Sequence, residues 1–167
     1  PATVRRLFGK LQILSAGFMA FSHGSNDGQK FIGAFTLVLL LGGRIPEFHV
    51  SAWVILLCAT VMGLGTAVGG WRIMKTMGLR LTKLEPVHGF AAETGAAGTI
   101  MLASALGVPL STTHTISTAI MGVGATRRFS AVRWGVSRSI VTAWILTFPV
   151  CALIAWLAAK LALAIAP

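Results

Sequence analysis

The sequence predicts an all-α integral membrane protein, built from transmembrane helices and a re-entrant helical hairpin. Three observations point there. First, the 167 residues are 55% hydrophobic and only 11% charged, with a mean hydropathy of +0.81, whereas a soluble domain carries about a quarter charged residues. Second, uncharged stretches occur at 31–41, 50–70 and 139–159, and the last two have the roughly 20 residues needed to cross a hydrocarbon core. Third, the basic residues that give a net charge of +10 cluster between apolar segments, as cytoplasmic loops do. This placement argues against nucleic-acid binding, the usual reading of so basic a chain.

The elements follow in order. The first span covers about 11–42, after Arg5, Arg6 and Lys10. No h-region with a cleavage site follows these residues, so a cleaved signal peptide is not expected. Near 22–30 the span is expected to break, because glycines stand beside Asn26 and Asp27. The loop 42–49 is nearly neutral and reads as external. A second span, about 50–70, returns to a basic loop holding Arg72, Lys75, Arg80 and Lys83, with Trp71 at the interface. The segment 88–124 then leaves one basic loop and returns to another near Arg127, so it enters and exits on one side. Its arms, 88–106 and 110–124, flank Gly107-Val108-Pro109-Leu110, where no helix continues. The second arm carries Ser111, Thr112, Thr113, His114, Thr115, Ser117 and Thr118. Such polarity suits a hairpin buried in protein rather than a lipid-facing helix. The last span, about 136–163, contains Pro149 and is expected to kink there. The chain 1–167 thus reads as a single membrane domain. It is too thin to shield its polar residues alone and calls for a second copy or a partner half.

Two constellations carry chemistry. Ser22-His23-Gly24-Ser25-Asn26-Asp27-Gly28-Gln29-Lys30 lies within the first span. Ionisable groups at that depth cost roughly 2.5–3.5 kcal/mol each on insertion scales and are functional candidates. A break there frees carbonyls to coordinate a cation beside Asp27. Were the helix to continue, His23, Asp27 and Lys30 would share one face at i, i+4 and i+7, and a purely structural Asp27–Lys30 pair is the plainer alternative. The second constellation, Pro109-Leu110-Ser111-Thr112-Thr113-His114, is a break followed by a helix start. Ser or Thr there can simply cap the helix. In mid-membrane the free N–H groups and positive dipole end also make an anion site. Glu93, one of only four acids, is either a dipole partner or a cation ligand. His23, Lys30 and His114 are further candidates. Cys58 and Cys151 lie in apolar spans without metal-ligand spacing and read as small hydrophobes. Enzyme signatures such as HExxH and G-x-S-x-G are absent from the sequence, so no enzyme and no structural metal are expected.

The stretches His23-Gly24-Ser25-Asn26-Asp27-Gly28-Gln29-Lys30 and Val108-Pro109-Leu110-Ser111-Thr112-Thr113-His114 resemble the two motifs of the PiT family of inorganic phosphate transporters. Leu84–Thr94 and Ile120–Ala125 are similar to the family as well, so the resemblance covers nearly the whole chain. Gly28 stands where Ala is usual, and Leu110 where Val is usual. The resemblance implies one half, the C-terminal repeat, of an inverted-repeat transporter in the cell (inner or plasma) membrane, crossing it several times. It implies phosphate binding by Ser111, Thr112, Thr113 and Asn26, and cation coupling by Asp27, Glu93 and Asn26. The expected activity is low-affinity symport of phosphate with H+ or Na+, with phosphate as a divalent-metal complex a further form. A sulfate permease of the same family and an anion channel are the alternatives. No other cofactor is implied. The implied partners are phosphate, membrane lipid and an N-terminal repeat or second copy, in a dimer.

Overall fold

A computed structural model describes residues 2–82 and 84–165, and among them every regular element is helical. The order is α1 (Ala2–Leu41), α2 (Ala52–Lys75), a π-helical turn (Thr76–Leu81), α3 (Pro86–Ala105), α4 (Thr112–Arg127), a short 3-10 turn (Phe129–Ala131) and α5 (Trp134–Ile165). Lys83 lies outside the described residues. The chain divides into two compact units, 1–132 and 133–167.

In the first unit, α1 and α3 lie side by side and run in the same direction. Phe8 meets Phe90 edge to face at 5.6 Å, Ser15 meets Glu93, and Asn26 meets Ser104. The α1 face that makes this contact is small and polar. Ser15, Ser22 and Asn26 recur at helical spacing and are buried, opposite the buried Gly89, Ala92, Ala96, Ala97 and Ile100 of α3. Small side chains let two backbones approach closely, which holds helices together where lipid is as apolar as leucine. Gly89 is the tightest point, since a Cβ there would collide with Gln12 Nε2 and lie 2.8 Å from its Cδ.

Helices α3 and α4 form a helical hairpin, and local chemistry sets its ends. Pro86 occupies the first turn of α3, where its missing N–H costs nothing. At the far end Gly107 adopts φ 69°, with Gly107 N–H donating to Ser104 O and Val108 N–H to Ala103 O. This closure needs a left-handed residue, and Pro109 then prevents continuation. Ser111 caps α4, its Oγ accepting from His114 N–H at 3.3 Å. Glu85 and Arg127 pair at 3.5 Å across the base of the hairpin.

Several boundaries correct the sequence reading. The expected break near 22–30 is not there, because α1 is one helix of 40 residues, about 60 Å long. Gly24 and Gly28 lie within the continuous helix, and His23, Asn26, Asp27 and Lys30 find partners on the hairpin, which supports the helix through this turn. No carbonyls are freed there for a cation. Helix α1 also begins earlier than the expected start near residue 11, with Arg5, Arg6 and Lys10 inside the helix. Arg72 and Lys75 likewise belong to the last turn of α2 rather than to a loop, where cations favour the negative helix end.

The second unit is α5, 32 residues with Pro149 inside. The helix continues through the proline. Thr142 Oγ1 donates to Arg138 O and Thr147 Oγ1 to Trp144 O, which satisfies these hydroxyls within the helix. Helices α2 and α5 are each long and apolar enough to cross a membrane.

Candidate functional site

The start of α4 abuts the charged turn of α1, and the two sequence constellations meet there. Because α1 is unbroken, His23, Asp27 and Lys30 do share one face. Asp27 is the centre of the cluster. Lys30 Nζ donates to its Oδ1 at 2.8 Å, and Thr112 Oγ1 donates to its Oδ2 at 3.0 Å. His23 Nδ1 lies 3.2 Å from the same Oδ2 and 2.9 Å from Thr112 Oγ1. A hydroxyl has one proton to give. With Thr112 donating to Asp27, both neighbours of His23 Nδ1, Thr112 Oγ1 and Asp27 Oδ2, face it as acceptors, which suits a proton on Nδ1. Lys30 also donates to the Leu110 carbonyl at 2.7 Å, so α1 holds the hairpin tip directly. This point is eleven residues before the end of α1.

Asn26 is only 4% exposed. Its Nδ2 donates to Ser104 Oγ at 2.9 Å, while its Oδ1 is buried with no hydrogen-bond partner. An acceptor left in that state costs about 1–3 kcal/mol, so Asn26 carries an unpaired acceptor within the α1–α3 contact. Ser111 and Thr113 are exposed on the first turn of α4. His114 contributes its backbone N–H to the Ser111 cap.

Glu93 does not join this cluster. Ser15 Oγ donates to its Oε2 at 2.5 Å, and Ser15 precedes Asp27 by twelve residues on α1, about 18 Å of rise. Glu93 instead lines a cavity of about 1260 Å³ whose walls also include His23, Thr112, Thr113, Gln12 and the Gly65–Gly69 face of α2. The wall is largely apolar, with these polar groups at separate levels.

Sequence reasoning missed three partners: Ser15 of Glu93, Ser104 of Asn26, and the Leu110 carbonyl of Lys30. Ser15 had a signal, since it stands alone in an apolar run, seven residues before Ser22. Ser104 and Leu110 had none, because both are fixed by the register of the hairpin on α1.

Residues 1–155 match the phosphate transporter family. A probable low-affinity inorganic phosphate transporter of Rhizobium meliloti (strain 1021) is 50% identical over 155 residues, covering 92% of this chain and 46% of that protein. One from Bacillus subtilis (strain 168) is 40% identical, covering 90% and 46%. A solved structure of the sodium-dependent phosphate transporter superposes with a TM-score of 0.76 at 34% identity, over 87% of this chain and 37% of that one. The chain spans 35–46% of the length of the curated relatives it matches.

Proposed function

The chain belongs to the phosphate transporter family, a family of membrane proteins that transport rather than catalyse, and on that premise we propose that it is one half of a carrier moving inorganic phosphate together with a cation. The observation that carries this reading is the contact between the start of α4 and the charged turn of α1. On one side stand the capped helix start and the hydroxyls of Ser111 and Thr113, suited to an oxyanion. On the other stand Asp27, His23 and Lys30. Thr112 joins the two, so its hydroxyl reaches phosphate only when it leaves Asp27.

Phosphate is favoured over sulfate by the family match and by the names of the relatives. Phosphate keeps a proton at neutral pH and can donate it to a carboxylate such as Asp27, whereas sulfate cannot. Asp27 is the coupling carboxylate, with Glu93 a second acidic station on the cavity wall. The hairpin is re-entrant in this reading, which the eleven residues of α1 beyond its tip support. The other repeat, or a second copy, completes the site and closes over it in alternation, in a protein that crosses the cell membrane several times.

The test is uptake of labelled phosphate against excess sulfate by a full-length carrier containing this half, in cells lacking phosphate uptake. Asp27→Asn, and Ser111→Ala with Thr113→Ala, are each expected to lower uptake about 10- to 100-fold, the scale of one charge-assisted hydrogen bond. Competition by sulfate would move the substrate to sulfate. Conduction that persists without any coupling cation would make the protein an anion channel.

A further inference from the structure

Lys30 sits where α1 meets the tip of the hairpin, and its ammonium has an unusual pair of acceptors. Asp27 Oδ1 lies 2.8 Å away and the Leu110 carbonyl 2.7 Å away. A carboxylate oxygen and a backbone carbonyl converging on one centre are the donors that hard cations take. The second carboxylate oxygen faces Thr112 and His23. Lys30 itself is 41% exposed, so burial does not force it into this position. Its two acceptors come from different elements, and an ordinary surface ion pair would need only one of them.

We infer that Lys30 is a built-in counter-cation that occupies the metal position at Asp27 and so decides which cation the carrier uses. With Lys30 present, Asp27 accepts no sodium ion, and transport proceeds without one. The inference rests on the reading of the chain as half of a cation-coupled phosphate carrier. Its physical basis is competition. A sodium ion at Asp27 Oδ1 must either displace the ammonium or sit a few Å from it, where two positive charges repel. The ammonium is tethered to α1 one turn from the carboxylate, so it competes at a high effective concentration. It also spans α1 and the hairpin, giving the tip a fixed hold that a diffusing ion would supply only when bound. Lys30 is therefore a specificity-determining residue for cation choice.

The test uses the full-length carrier containing this half, reconstituted in vesicles. Labelled phosphate uptake is compared in sodium, potassium and choline salts at constant pH, and the melting temperature of the purified protein is read in the same salts. Wild type is expected to take up phosphate equally in all three, with no melting response to sodium. Lys30→Gln and Lys30→Met vacate the position. Their uptake should become sodium-dependent, by about tenfold or more over potassium, within the usual range of coupling between two sites. Sodium should also raise their melting temperature, as a ligand of the folded state does. Lys30→Arg keeps the charge, and its uptake, whatever its level, should stay indifferent to sodium. Wild-type uptake that collapses in choline would overturn the inference without any variant. So would neutral variants that fold and stay indifferent to sodium in both readouts. A wild type that takes up no phosphate in any salt would refute the carrier reading instead, and the melting response to sodium would still decide the role of Lys30.

Discussion

Helices α2 and α3 have similar lengths, 24 and 20 residues, but they meet their surroundings in opposite ways. Helix α2 buries Val54 and exposes a series of bulky side chains, among them Leu64, Val68, Trp71 and Ile73. Helix α3 buries Gly89, Ala92, Ala96, Ala97 and Ile100 and exposes a single large hydrophobe, Leu102, among its described residues. Apolar bulk gains nothing from helix contact in lipid, whose tails are equally apolar, so close packing of small residues carries association there. Under the proposed function, bulk on α2 therefore marks a surface matched to lipid or to the other half. Smallness on α3 marks the surface that holds the hairpin against α1, and through it places Thr112 and Leu110 on Asp27 and Lys30.

Breaking the α3 side should cost most. Ala97 is 0% exposed, and Ala97→Leu adds three carbons to a contact with no room for them. The expected loss is about 1–3 kcal/mol of stability from overpacking, read as a lower melting temperature and as reduced phosphate uptake. An unchanged melting temperature would mean that α1 and α3 part readily. Gly89→Ala should cost less, near 1 kcal/mol, because its Cβ meets the flexible end of Gln12 rather than backbone. Combining it with Gln12→Ala should restore most of the loss, since residues in direct contact couple by about 0.5–3 kcal/mol. A double variant no better than the single one would place the strain elsewhere.

The same contrast explains what could be read from the sequence. The apolar bulk of α2 and α5 was legible because a membrane selects for length and hydrophobicity, which are local properties. The hairpin turn was legible for a local reason too, since Gly107 and Pro109 each restrict the backbone. The charged turn of α1 was misread in one respect. Two glycines among polar residues suggested a break, but His23, Asn26, Asp27 and Lys30 each find a partner on the hairpin, and a helix supported in this way stays intact. The grouping of His23, Asp27 and Lys30 followed once the helix was continuous. The separation of Glu93 from Asp27 was not legible, because it depends on the register of α3 along α1. That register is marked by the Ser15–Glu93 and Asn26–Ser104 contacts between small, buried faces, a pattern too weak in hydropathy to stand out.

The smallest effect is expected on the lipid-matched surface, and it is the sharpest check on the comparison. Val68 is 87% exposed and does not line the cavity. If its surroundings are lipid, Val68→Ala exchanges one apolar contact for another, because acyl chains close over the missing methyl groups and leave no cavity. The melting temperature of the full-length carrier should then move by no more than about 0.5 kcal/mol of stability, the usual range for such sites. A well-packed protein neighbour cannot flow in this way, and truncation of a core residue beside one leaves a void. A loss above about 1 kcal/mol would therefore show that this face of α2 is covered by the other half of the carrier. Bulk on α2 would then mark a protein interface, and α5 would keep its apolar length as the ground for direct lipid contact.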